Sequence, residues 1–290
     1  MEGAESITGM SISSPQDLVN EDDKIFALPK IYFELQEALA DPKKTFQDMG
    51  EIISYDAALA ARLLKIVNSP FYGFPSKIDT ISHALSIIGM DQLNDLALSI
   101  LVVYQFRGIP NSLFNMEKFW RHSMACGVAA RAIAEFKGEP NIERLYLAGI
   151  LHDIGRLVLF KKEPALARDA FYRSKEKREN IFQSETELMG FDHAAVGGEL
   201  LKVWKLPPTL VEAVACHHQP ENAANYPFEA ALIHTADYIV HVLNIGSDAE
   251  FTEPQLYSRS WEIIGLSPDD FEFMKDKVQR QYEGIVNMFF

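Results

Sequence analysis

The sequence predicts an all-α fold of packed, non-parallel helices. Three observations predict it. Apolar residues recur at three- and four-residue spacings through most of the 290 residues, the period of a helix with one buried face. Ser, Thr, Asp or Asn stands just ahead of many of these runs, and Gly or Pro just behind them. No stretch alternates with period two for long enough to read as a strand. The chain is 48% hydrophobic and 23% charged, near the globular average, which excludes a disordered tail protein and a collagen-like one. At about 150 residues per domain the length gives two compact units or one large one, with a substantial core.

Residues 1–24 are acidic, with little periodicity, and read as a flexible leader. Leu28-Pro29 opens a helix with Ile31, Leu35 and Leu39 on one face, and Asp41-Pro42 stops it. Thr45 and Asp48 form a capping-box start for Met49, Ile52 and Ile53. Asp56 caps AALAARLLKIVN, whose Leu59, Leu63 and Val67 share a stripe. SPFYGFPS, residues 69–76, is a loop punctuated by Pro and Gly. Thr80 caps ISHALSIIG, Gly89 ends it, and Asp91 begins a longer helix reaching Phe106. Gly108-Ile109-Pro110 is the subdomain boundary. It divides an N-terminal helical subdomain, residues 25–112, from a helical bundle, residues 113–245. Residues 246–290 form a C-terminal helical extension.

In the bundle, Asn115 caps a long run through Phe136, followed by Gly138. Ile142–Phe160 reads as one helix, ended by Pro164, and Ala165–Lys177 as a charged surface helix. Ile181–Met189 ends at Gly190, and Asp192 caps a helix that runs out at Leu206-Pro207-Pro208. Thr209–His217 is short, and Phe228–Leu243 is long and apolar. Ser267, with Asp270 as its capping-box partner, opens the last helix.

The net charge of −14 argues against direct nucleic-acid binding, which needs a positive footprint. It does not bear on small anionic substrates, because a local metal can dominate the field of a site. Two cysteines, Cys126 and Cys216, make no disulfide framework and point to a reducing compartment. The N-terminus lacks the basic and apolar segments of a secretory signal. The longest apolar stretch, Leu96–Phe106, is too short to cross a bilayer. These features predict a cytoplasmic protein without a membrane span.

The chemistry concentrates in histidines and carboxylates. His152-Asp153 lies within LYLAGILHDIGRLVLF, where two hydrated side chains are costly unless paired or coordinated. His217-His218 sits at a helix end, Asp237 lies inside FEAALIHTADYIVHVL, His122 lies in FWRHSMACGVAARAIA, and His193 follows the cap Asp192. Alone, each His reads as a core or surface residue and each Asp as a cap or salt-bridge partner. Together they place imidazoles and carboxylates on five helices, a donor set for one or two divalent transition ions such as Fe, Mn, Zn, Co or Ni. His234 and His241 share a face with Asp237 and read as supporting or core residues. His83 reads as a packing or capping residue, and Cys216 as a small buried apolar one.

At these positions the sequence resembles a family. His122, His152-Asp153 and Asp237 match the H…HD…D pattern of the HD superfamily of metal-dependent phosphohydrolases. His193-Ala-Ala-Val-Gly197 and His217-His218 resemble the extra histidines of its binuclear HD-GYP branch. IISYDAALAARLLKIVNSPFYGFPSKIDTISHALSIIGMDQL, from Ile52 to Leu93, resembles the HDOD domain, the HD-related output domain of bacterial signalling proteins. The resemblance covers about residues 25–220 and extends to Asp237. It implies an N-terminal helical subdomain packed on an HD-like bundle, and a metal site of His122, His152, Asp153, His193, His217, His218 and Asp237. It implies a signalling or regulatory role without an established common reaction, and the first reading is an output or scaffold module that acts through signalling protein partners. The alternative is a phosphohydrolase acting on a nucleotide or another phosphate ester, with Asp153 orienting water and Arg156 stabilising developing charge.

The departures are local. Arg156 stands where the HD-GYP branch carries Lys. The branch continues HHExxxGxGYP, whereas this chain reads HHQPENAANYP. Gln219 replaces the acid, Ala223 and Asn225 replace glycines, and Tyr226-Pro227 remain. Weak or absent hydrolysis of cyclic-di-GMP is the expectation.

Overall fold

In the computed structural model, which describes residues 14–19, 26–106, 115–246 and 256–286, every regular element is helical. The first group comprises α1 (Lys30–Ala40), α2 (Phe46–Tyr55), α3 (Ala57–Val67), α4 (Ile81–Ile88) and α5 (Met90–Phe106). The sequence signals explain their starts. Thr45 and Asp48 form a reciprocal capping box, Asp56 accepts from the N–H groups of Ala58 and Leu59, and Thr80 accepts from that of His83.

The second group is α6 (Met116–Lys137), α7 (Ile142–Leu151), α8 (Ile154–Lys162), α9 (Pro164–Lys177), α10 (Ile181–Met189), α11 (His193–Val203), α12 (Pro208–Ala215) and α13 (Pro227–Val242). α14 (Ser258–Ile264), which the sequence pattern did not reveal, and α15 (Pro268–Ile285) follow. Pro164, Pro208 and Pro227 open helices rather than close them, because a fixed φ and a missing N–H suit the first turn.

Two readings of the sequence are corrected. Ile142–Phe160 is not one helix: it breaks at His152-Asp153 into α7 and α8, with Asp153 at φ −96°, ψ 6°. The apolar period runs through the break because both arms are buried. Within the stretch read as a flexible leader, Pro15–Leu18 forms a 3₁₀ turn that packs on α8 and α11. Burial of Leu18 anchors it. Residues 1–13 and 20–24 of that stretch, and the boundary at Gly108–Pro110, lie outside the described residues.

α6 is the centre of the bundle, packing against α7, α13 and α15. α5 packs on α7, α8 on α11, α11 on α12, and α12 on α13. Two glycines permit the closest approaches. A Cβ on Gly149 would sit 2.6 Å from the Cys126 carbonyl oxygen, and one on Gly155 would sit 2.0 Å from that of His193. These contacts flank His152-Asp153 and bring α6 and α11 to it. The loop after α3 is clamped to the bundle: the Tyr72 hydroxyl donates to Glu143 at 2.8 Å, and Arg131 Nε donates to the same carboxylate at 3.0 Å. Among the described residues no single helix is long and apolar enough to cross a membrane. α4 and α5 together have the composition, but they are bent by 119°, and Leu96–Val103 of α5 is buried.

Candidate metal centre

Five places in the fold converge. His122 comes from α6, His152 and Asp153 from the α7–α8 turn, His193 from the start of α11, His217 and His218 from the end of α12, and Asp237 from α13. One group surrounds Asp237 Oδ1. His122 Nε2 lies 3.0 Å from it, His152 Nε2 3.7 Å and His241 Nδ1 3.5 Å. The Cys126 thiol lies 3.5 Å from this oxygen and 3.5 Å from His122 Nε2.

A second group surrounds Asp153 Oδ1, with His193 Nε2 at 3.0 Å, His152 Nε2 at 3.6 Å and His217 Nε2 at 3.9 Å. His218 Nε2 stands 2.9 Å from His193 Nε2. His152 joins the two groups. The fold thus brings all seven residues singled out from the sequence into one connected cluster. Arg156 is beside it, with Nη1 donating to Asp153 Oδ2 at 2.9 Å.

The hydrogen bonds fix the donor chemistry. His152 Nδ1 donates to the Gly149 carbonyl at 2.7 Å, and His217 Nδ1 to the Val214 carbonyl at 2.8 Å. A carbonyl only accepts, so the proton is on Nδ1 and the lone pair on Nε2. Both Nε2 atoms face the Asp153 carboxylate, and His217 Nε2 is buried without a hydrogen-bond partner. Lone pairs facing a carboxylate repel unless a cation lies among them. These residues therefore fit a divalent ion. Ligand atoms lie within 4.8 Å of one another in each of three sets: His122, Cys126, His152 and Asp237; His152, Asp153 and His217; and His193, His217 and His218.

The electrostatics point the same way. Burial lowers the pKa of His152 against the pull of Asp153 and Asp237. Burial, with His152 and His193 nearby, brings His217 down to about 3, and burial with His217 and His193 holds His218 well below the usual range. Burial alone would raise Asp153, yet His152, Arg156 and His193 hold it well below the carboxylate range. Burial also opposes an ionised Asp237, and His241, His122 and His152 outweigh it. Neutral imidazoles and ionised carboxylates are the forms that ligate metal. His193 differs: burial works against its charge, but Glu185 and Asp153 hold its pKa up to about 10.

Supporting residues complete the site. Glu185, buried on α10, accepts from His193 Nδ1 at 2.6 Å and from the His193 backbone N–H at 2.9 Å. His234 Nδ1 donates to the His217 carbonyl at 2.8 Å, and its Nε2 accepts from the Tyr257 N–H at 3.2 Å. Phe182 stacks on His218 with centroids 4.3 Å apart. Sequence reasoning missed Glu185 and Cys126. Cys126 carried a signal, standing one helical turn after His122. Two lesser readings are corrected. His83 lies exposed on α4 beside the exposed Ser86 and Ile87, its backbone N–H capped by Thr80. Cys216 is half-buried rather than buried, because it caps the C-terminus of α12.

The segment after His217-His218 is tied down. The Glu212 carboxylate accepts the N–H groups of Ala224 at 2.9 Å, Asn225 at 3.0 Å and Tyr226. Successive N–H groups aimed at one point make an anion site, and here the protein's own carboxylate fills it.

Comparison with known proteins agrees with this architecture. An uncharacterized protein of Treponema pallidum (strain Nichols) is 27% identical over 202 residues, 69% of this chain. The chain spans 39% of the length of that relative. The crystal structure of an HDOD domain protein with unknown function from Geobacter sulfurreducens superposes with a TM-score of 0.76 at 23% identity, covering 97% of this chain and 98% of that one. That of a proposed phosphohydrolase from Shewanella amazonensis SB2B gives 0.70 at 23% identity, covering 93% and 100%. At these identities the two likenesses show the fold. The model of the HDOD domain matches residues 25–220, and with more than half of its length so matched the chain belongs to the HDOD domain family.

Proposed function

We propose that this protein is a signal-transduction regulator that holds one or two divalent transition ions (Fe, Mn, Zn, Co or Ni) and acts mainly through signalling protein partners. His122, His152, Asp153, His193, His217, His218 and Asp237 hold the ions. The observation that carries the regulatory reading is that the groups suited to a phosphate beside the centre are already engaged by carboxylates. Arg156 is bonded to Asp153, and the N–H groups of Ala224, Asn225 and Tyr226 converge on Glu212. A substrate phosphate would have to displace an internal ion pair or an internal anion, each a net loss of satisfied polar contacts.

A second reading, metal-dependent hydrolysis of a nucleotide or another phosphate ester, has its own support. Asp153 faces His152, His193 and His217 together, and Asp237, His218 and His241 at the rim are only partly buried. A similar fold belongs to the proposed phosphohydrolase from Shewanella amazonensis. Bound ions would lower the pKa of water and hold phosphoryl oxygens. Asp153 would orient that water, and Arg156 would face the developing charge.

Elemental analysis of protein from iron- and manganese-supplemented medium, followed by a panel of phosphate mono- and diesters, separates the readings. The regulatory reading expects one or two ions per chain and no turnover above that of His152→Ala. Turnover abolished by Asp153→Ala would favour the hydrolase. Metal-free protein would sink both.

A further inference from the structure

Cys126 stands apart from the ligands that the HD pattern supplies. It is fully buried on α6, and its sulfur is 3.5 Å from both His122 Nε2 and Asp237 Oδ1. A tetrahedral ion with a metal–sulfur bond of about 2.3 Å and metal–nitrogen or metal–oxygen bonds of about 2.0–2.1 Å needs S···N and S···O edges of about 3.5 Å. The two sulfur edges match. The N···O edges of such a tetrahedron are about 3.4 Å, and the observed values of 3.0 Å (His122 to Asp237) and 3.7 Å (His152 to Asp237) lie on either side of it.

Resting on the metal-binding reading above, we propose that Cys126 is a thiolate ligand, so that the pocket of His122, Cys126, His152 and Asp237 is a closed S/N/O site selective for Zn²⁺, Co²⁺ or Fe²⁺ over Mn²⁺. On binding, the Cys126 thiol, which donates to Asp237, gives its proton to solvent, and both the sulfur and the carboxylate turn to the ion. A thiolate favours the softer ions, whereas carboxylate and water suit Mn²⁺. The neighbouring pocket of Asp153, His193, His217 and His218 offers only nitrogen and oxygen. The two halves of the centre therefore differ in the metal they prefer.

Cobalt tests this directly. Binding is read by equilibrium dialysis and by visible d–d bands, and sulfur ligation by a near-ultraviolet thiolate-to-cobalt charge-transfer band. The chain has two cysteines, so the band in Cys216→Ser comes from Cys126 even if Cys126→Ser fails to fold. The expected result is cobalt binding with a charge-transfer band in the full chain and in Cys216→Ser, lost in Cys126→Ser. Tight cobalt binding with d–d bands but no charge-transfer band overturns the thiolate ligand and leaves the metal centre standing. A band lost in Cys216→Ser also overturns it. No cobalt binding overturns both.

Discussion

Glu185 is placed to orient one residue of the proposed ligand set from outside it. Its carboxylate holds both the ring and the backbone N–H of His193, which fixes the ring with Nε2 toward Asp153. Partners of this kind are worth about 10–100-fold in metal affinity. Glu185→Gln is expected to weaken metal binding by that factor in a chelator-competition titration, with the helical content unchanged. Unchanged affinity would mean that packing alone orients His193. Asp95 of α5 carries a second expectation. Burial pushes its pKa up to about 6, against the opposing pull of Arg144, whose Nε is 3.3 Å away. A carboxyl raised above its ordinary 3.8 favours folding while protonated. Its contribution is complete below pH 3.8 and is lost as pH rises through about 6. The loss is of order 2–3 kcal/mol. Asp95→Asn should therefore gain on the parent between pH 4.5 and pH 7 in urea unfolding, and parallel profiles would show that Asp95 folds ionised. At this scale the sequence was legible where a costly side chain interrupts an apolar run, as His152-Asp153 and Asp237 do. Cys126 was not, because a cysteine in an alanine-rich helix looks like core. Nor was Glu185, because it stands among the acidic and polar residues of α10.

The break between α7 and α8 is the element that brings His152 and Asp153 together into the cluster. A continuous helix would send His152 and Asp153 off at about 100° to each other; the turn lets both face the cluster. The glycines on either side let the arms dock. A Cβ at Gly155 would meet the His193 carbonyl oxygen at 2.0 Å and the Gly197 nitrogen at 2.6 Å. Both are backbone atoms and cannot swing aside. Gly155→Ala is expected to lift α11 from α8 and cost about 3 kcal/mol, with loss of the metal site. Gly284→Ala in α15, where a Cβ meets nothing within 4 Å, is the control and should stabilise by up to about 1 kcal/mol. Comparable denaturation midpoints for the two variants would refute the backbone clash. The segment after His217-His218 makes the same point for a loop: with Gln219, Ala223 and Asn225 in place of an acid and two glycines, and its N–H groups spent on Glu212, it leaves no nest for a phosphodiester. Protein loaded with Mn or Fe should not turn over cyclic-di-GMP, and turnover that disappears in Asp153→Ala would show that the loop moves aside. Helix starts were legible from Thr45, Asp56, Thr80, Asp192 and Ser267, since capping is a local contact. The break was not, since apolar residues continue through it.

Across the whole molecule, helical content was legible because it depends on local period, whereas the arrangement depends on contacts far apart in sequence, such as Gly149 against Cys126 and Trp204 Nε1 donating to the Phe26 carbonyl at 2.7 Å. The His/Asp cluster proposed to hold metal belongs to this second kind. Its residues come from α6, the α7–α8 turn, α11, the end of α12 and α13, so no unfolded chain presents them together. An ion that binds only the native state stabilises it by RT ln(1 + [L]/Kd), about 2.7 kcal/mol at a free concentration of 100 Kd. With an unfolding entropy of about 2 cal/mol/K per residue, that moves the melting temperature of a chain this long by about 4 °C per ion. Metal-loaded protein is therefore expected to melt about 4 °C above chelator-stripped protein for one ion and about twice that for two. The increment should fall in His152→Ala, whose ring joins both groups, and persist in His83→Ala, which is exposed on α4. The buried His217 Nε2, an acceptor with nothing to accept when no ion is bound, adds to the deficit of the stripped protein. If stripped and loaded protein melt together, the imidazole cluster is a packed polar core and not a metal centre.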